Sequence, residues 1–156
     1  MPYLTAQFCG AAFGAVLVYL SYLPHRKITP SADDKLAVFC TSPAIRNLPA
    51  NALTEIIGTF VLVFVVIALG SKTVIATGVA GPLIVGLLVW SLGLSLGGPT
   101  GYAINPARDL GPRIAHALLP IAGKGSSQWS YALVPVLAPL IGGLIAVGVA
   151  RFANMI

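Results

Sequence analysis

Read for runs of apolar positions, the 156-residue chain divides into four long hydrophobic stretches separated by polar breaks. The first runs from Tyr3 to Leu23 and carries no charge. The second, Ala52 to Gly70, holds a single acid, Glu55, near its start. The third covers Thr73 to Gly97, and the fourth Trp129 to Ala150. About 20 apolar residues span a bilayer as a helix, so the pattern predicts an all-α membrane protein with four transmembrane helices. A polar connection, residues 24–51, joins the first two and is expected to lie outside the membrane. It contains Arg26, Lys27, Asp33, Asp34, Lys35 and Arg46 together with several prolines.

Between the third and fourth stretches the pattern changes. Gly97-Gly98-Pro99-Thr100-Gly101 is expected to end a helix. Pro106 to Leu118 again permits one, too short to span, and Gly123-Lys124-Gly125-Ser126-Ser127 reads as a flexible polar turn. Asn105 is a good N-cap and Pro106 suits the first helical position, where its missing N–H leaves nothing unpaired. Residues 98–118 therefore read as a re-entrant loop and half-helix with its positive dipole end at Asn105. Irregular backbone at membrane depth is tolerated only when buried in protein or lining a hydrated cavity. A half-helix dipole with an arginine beside it, here Arg108, repels cations and admits neutral hydrogen-bonding solutes. On spacing alone an alternative stands: an extramembrane amphipathic helix with Arg108 and Asp109 as a surface ion pair.

Composition agrees with the membrane reading. The chain is 57% hydrophobic and 8% charged, against about 25% charged in soluble domains. Its net charge of +5 is scattered and does not form the basic patch that binds nucleic acid. Cys9 and Cys40 have no metal or redox spacing. No nucleophile–base pair or metal-ligand cluster appears, so neither an enzyme, a cofactor nor a metal is expected. Glu55 is the only acid inside a spanning segment, which disfavours a proton-coupled transporter. The first charge occurs at Arg26, so there is no basic n-region and no cleavable signal peptide is expected. His116 reads as packing within the half-helix and His25 as a loop residue. Gly10 with Gly14, and Gly93 with Gly97, have the GxxxG spacing of close helix packing.

The run Thr100-Gly101-Tyr102-Ala103-Ile104-Asn105-Pro106-Ala107-Arg108-Asp109-Leu110-Gly111-Pro112-Arg113 resembles the second NPA region of the major intrinsic proteins, the aquaporins and glycerol facilitators. The four long stretches then resemble helices three to six of that fold, making the chain a single partial aquaporin-like domain. The resemblance implies an NPA motif at Asn105, Pro106 and Ala107 and a selectivity filter at Gly93, Tyr102 and Arg108. It also implies that Glu55 supports the re-entrant loop and that Asp109 supports the loop or Arg113. Tyr22, Asp109, Arg113, Pro135 and Val136 resemble the residues that mark the glycerol type. At the place of Tyr102 the glycerol facilitators more often carry phenylalanine, so the hydroxyl leaves the preferred solute open.

The implied activity is passive passage of glycerol and other small neutral solutes, with water a further candidate, in a multi-pass protein of the cell membrane. Arg108 and the Asn105 carboxamide would donate hydrogen bonds to the solute, and Tyr102 would face its carbon backbone. The family is built from two inverted repeats, each with its own half-helix, and this chain carries one such box. Asn47-Leu48-Pro49-Ala50 and Ser42-Pro43-Ala44 precede the second stretch and do not replace the other. A pore therefore requires the first half, as part of a longer chain or as a separate subunit, and a homotetramer is implied for the complete domain. The alternative is a non-conducting fragment that acts as a membrane interaction partner. The positive-inside count puts the 24–51 connection in the cytoplasm, whereas the resemblance puts it outside.

Overall fold

The computed structural model describes residues 2–71 and 80–156. In chain order the elements are α1 (Pro2–Ser21), α2 (His25–Ile28), α3 (Ala32–Ala37), α4 (Leu48–Gly70), α5 (Ala80–Thr100), α6 (Pro106–Leu118) and α7 (Trp129–Phe152). The described residues form helices and no strand. Four helices, α1, α4, α5 and α7, have the length and apolarity to cross a membrane. At about 1.5 Å per residue each reaches roughly 30 Å, the thickness of the hydrocarbon core. The expected start of the third stretch, Thr73 to Val79, lies outside the described residues.

These helices are apolar all round, as lipid-facing helices are. Large side chains such as Trp90 (64% exposed) and Leu94 (75%) stay uncovered on α5. Contact between helices comes instead where side chains are small. Gly142 of α7 lies so close to α4 that a Cβ there would collide with the Ile56 carbonyl oxygen. Gly111 of α6 meets α1 in the same way, with Ala11 Cβ only 2.8 Å from where a side chain would begin. This is the small-residue packing that lipid-embedded helices use. A separate apolar cluster sits where α1, α6 and the 24–51 connection meet, with Ala15, Leu36, Phe39, Cys40, Ala115 and Ile121 packed together. Burial there pushes the Cys40 thiol up to about 12.

Several boundaries differ from the sequence expectation. The second long helix, α4, begins at Leu48 and not Ala52, because Asn47 caps it by accepting from the Ala50 N–H at 3.2 Å. Polar Asn51 does not interrupt it, since its side chain bonds back to Asn47 N and Ile45 O. The third, α5, continues through Gly97, Gly98 and Pro99 to Thr100. Tertiary bonds hold this last turn: the Pro99 carbonyl accepts from Ala44 N at 3.2 Å, and the Thr100 hydroxyl donates to Glu55. The first, α1, ends at Ser21, and α7 continues to Phe152. The 24–51 connection contains two short helices, and His25 opens the first of them with its ring edge-on to Tyr22. Gly10 and Gly14 have nothing among the described residues within 4 Å of a built Cβ, so no described element packs closely on them. The 123–127 turn is tied down: Lys124 donates to the carbonyls of His116, Ala117 and Leu119, closing the C-terminus of α6.

Candidate pore-lining site

The half-helix α6 differs from its neighbours in being amphipathic, with 13 residues that include Arg108, Asp109 and Arg113. Asn105 caps it, its Oδ1 accepting from Ala107 N at 2.9 Å, and Pro106 occupies the first helical position. The Asn105 Nδ2 donates to Gln7 Oε1 of α1 at 3.1 Å. Sequence reasoning missed Gln7; its one signal was an uncharged amide in an otherwise apolar span.

The loop that delivers Asn105 is strained. Gly101, Tyr102 and Ile104 have φ of +78°, +40° and +43°. Only glycine adopts this left-handed region freely, and a β-branched isoleucine there is an outlier costing about 1–3 kcal/mol. Glu55 of α4, 1% exposed, supplies the compensation. Its Oε1 accepts from Thr100 Oγ1 at 2.6 Å and Ala103 N at 2.9 Å, and its Oε2 accepts from Ile104 N at 2.7 Å. Hydrogen bonds to a buried carboxylate are of the stronger, charge-assisted kind. Gly58 leaves the space that Ile104 Cγ2 fills, 3.0 Å from a built Cβ.

Tyr102 lies on a glycine face of α5. A Cβ at Gly93 would stand 3.1 Å from Tyr102 Cζ, and one at Gly97 3.3 Å from Cδ1. The Arg108 guanidinium lies 5.4 Å from the centroid of the same ring. Gly93, Tyr102 and Arg108 are thus brought together. Arg108 is exposed; its N–H donates to the Asn105 carbonyl at 3.2 Å, and its guanidinium makes no hydrogen bond or ion pair among the described residues.

The next residue has the opposite surroundings. Asp109 is fully buried and forms a two-pronged pair with Arg113: Nε to Oδ1 at 2.7 Å and Nη2 to Oδ2 at 2.8 Å. Thr41 of the 24–51 connection donates to Oδ2 from its N–H at 2.9 Å and from its hydroxyl. Arg113 spends its remaining donors on the carbonyls of Thr41 (2.8 Å), Ser127 (2.6 Å) and Gln128 (3.3 Å). The alternative of a surface ion pair between Arg108 and Asp109 is overturned, because Asp109 pairs with Arg113 away from solvent. His116 is buried behind this pair, Nδ1 at 2.8 Å from Ser127 Oγ and its ring against Phe39.

Of the other residues singled out, Pro135 is buried within α7 and Val136 half-buried beside it. Tyr22 lies beyond the end of α1, 53% exposed, and its ring contact is with His25. No group of three or more metal-ligating side chains occurs among the described residues.

The comparisons with known proteins agree on one family. Residues 1–149 match the profile described as Major intrinsic protein. The chain is 62% identical over 143 residues to the probable glycerol uptake facilitator protein of Thermotoga maritima, covering 92% of this chain and 60% of that protein. It is 59% identical over 141 residues to the glycerol uptake facilitator protein of Bacillus subtilis, covering 90% and 51%. Its fold is similar to the X-ray structure of the aquaglyceroporin from Plasmodium falciparum, with a TM-score of 0.77, 26% identity, and coverage of 95% of this chain and 61% of that one. The chain therefore spans about half to three-fifths of the length of these proteins. Four apolar helices together with a family match over nearly the whole sequence make this a multi-pass membrane protein, and the chain belongs to the major intrinsic protein family.

Proposed function

We propose that this chain is the C-terminal part of a passive channel for glycerol and other small neutral solutes, and that its pore is completed by the part of its relatives that it does not span. One observation carries the reading. The guanidinium of Arg108 is exposed over the Tyr102 ring with no hydrogen bond or ion pair among the described residues, at the positive end of a half-helix whose other acid and arginine are paired with each other. A charge left open inside a membrane protein is costly unless it faces water or a hydrogen-bonding solute. Arg108 and the free Nδ2 proton of Asn105 donate to solute hydroxyls, and the face of Tyr102 meets the C–H edge. Hydrogen bonds of similar strength offset the partial loss of hydration. The helix dipole and Arg108 together repel cations.

In this reading Gly93, Tyr102 and Arg108 form the filter, Asn105, Pro106 and Ala107 the capped turn, and Glu55 and Asp109 its supports. The names of the relatives point to glycerol as the solute. Asp109, Arg113, Pro135, Val136 and Tyr22 support the same subtype, and a homotetramer is the assembly proposed for the complete domain. The activity is passage of solute with no bond made or broken, so no catalytic role is assigned.

A second reading, a subunit that partners other chains without conducting, is favoured by Gly10 and Gly14 of α1, where nothing among the described residues comes within 4 Å of a built Cβ. Liposome swelling separates the two. The chain alone should give no glycerol flux. The chain joined to the N-terminal part of the Thermotoga maritima relative should conduct, and Arg108→Ala in that fusion should admit ions. Specific flux from the chain alone removes the need for a second half. A folded fusion that stays impermeable with Arg108 intact rejects the channel in favour of the non-conducting partner.

A further inference from the structure

We infer that Thr41, in the extramembrane connection, is the positioning residue for Arg108 and so helps to decide which solutes pass; the specificity part of this inference rests on the channel reading above. Thr41 is 4% exposed although it belongs to a polar connection. All three of its polar groups are committed to one pair of side chains. Its N–H and its hydroxyl both donate to Asp109 Oδ2, and its carbonyl accepts from Arg113 Nη2 at 2.8 Å.

The same residue also touches the other end of the strained loop. A Cβ at Gly101 would stand 3.3 Å from Thr41 Cβ, and three residues on, Ala44 N donates to the Pro99 carbonyl at the end of α5. Thr41 therefore holds two points, Gly101 and Asp109, that bracket the run carrying Tyr102 and Arg108. The Arg108 guanidinium makes no hydrogen bond or ion pair among the described residues and lies only over the Tyr102 ring of the same run, so its placement is inherited from the backbone on either side. Asp109, which follows it directly, has both carboxylate oxygens engaged: Oδ1 by Arg113 Nε, and Oδ2 by Thr41 N, Thr41 Oγ1 and Arg113 Nη2. A binding group must be held within about 0.5 Å to discriminate between ligands, and this arrangement supplies that restraint from a segment outside the membrane. Valine has nearly the shape of threonine but lacks the hydroxyl. Thr41→Val would leave Oδ2 one donor short in a site that excludes water, and Asp109 would relax toward its remaining partners.

Two measurements test this. In the full chain in lipid nanodiscs, hydrogen exchange of residues 103–109 should be about tenfold faster in Thr41→Val than in the native sequence, the loss of a charge-assisted hydrogen bond. Thr41→Ser, which keeps the hydroxyl, should exchange at the native rate. In the fusion described above, Thr41→Val should lower the ratio of glycerol to five-carbon polyol permeability by about threefold or more, a size discrimination of the order a small pocket provides. Thr41→Ser should restore the ratio, which a purely stabilising residue would have left unchanged. Should Thr41→Val not fold, Thr41→Cys, with its weaker donor, takes its place. Unchanged exchange in the folded variant overturns the positioning role. Faster exchange with an unchanged ratio overturns the specificity role. A fusion that is inert with Thr41 present defeats the channel reading and the specificity claim with it, while the exchange measurement still decides whether Thr41 holds the turn.

Discussion

Arg108 and Asp109 are neighbours in the chain and opposites in the fold. Arg108 is exposed, with its guanidinium over the Tyr102 ring. Asp109 is inaccessible to solvent and accepts from Arg113 one turn further along α6 and from Thr41 of the distant 24–51 connection. One turn of helix thus has a face left open and a face closed by protein. The closed face is scaffold: Asp109, Arg113, Thr41 and Ser127 satisfy one another, Glu55 holds Thr100, Ala103 and Ile104, and together they fix where the backbone runs. The open face is what the chain offers to something else. A buried polar group that is satisfied internally says little about function, whereas one held rigid and left unsatisfied marks where a solute or partner belongs.

The contrast can be broken from its closed side with the largest effect. Arg113→Ala leaves Asp109 as an unpaired buried charge and frees three carbonyls, so unfolding in detergent should be easier by about 3–5 kcal/mol. Arg113→Lys should recover part of this, since an ammonium cannot make the two-pronged contact. Glu55→Ala removes three hydrogen bonds from the strained loop and should cost about 3 kcal/mol, with rapid amide exchange at Ala103 and Ile104 as its local signature. A stability matching the native chain would mean the loop holds its conformation without Glu55. Gly93→Ala places a methyl 3.1 Å from Tyr102 Cζ and should cost about 1–3 kcal/mol through overpacking; combined with Tyr102→Ala most of that cost should vanish. The smallest stability effect belongs to the open side. Arg108→Ala should change unfolding by no more than about 0.5 kcal/mol while altering what the fusion lets through. A large loss of stability there would show that Arg108 has a structural partner, and the comparison would collapse.

Much of the open face was legible in the sequence. Asn105 followed by Pro106 is a local capping signal, and Arg108 stands out because charge is scarce in this chain. The closed face was legible only as far as the family resemblance reached, to Glu55, Asp109 and Arg113. Thr41, Thr100 and Ser127 gave no signal, since a hydroxyl in a polar stretch looks the same whether solvated or buried. The turn around Lys124 was misread for a related reason. Glycine and serine around a lysine suggest flexibility, but the ammonium found three carbonyls at the end of α6. Gly10 and Gly14 carried a packing motif with no close neighbour among the described residues.

The sequence by itself determined what depends on neighbours along the chain. Hydrophobic length set the four candidate spans, and local capping set the start of the half-helix, because both are decided within a few residues. The tertiary structure alone decided where α5 ends, that Thr100 joins the loop on Glu55, and that Thr41 reaches the pair of Asp109 and Arg113. Those outcomes rest on bonds between residues as far as 45, 68 and 72 positions apart. No periodicity encodes such a bond. Its partners become neighbours only once α4, α6 and the connection are packed, and burial then turns ordinary polar side chains into the restraints that place Arg108.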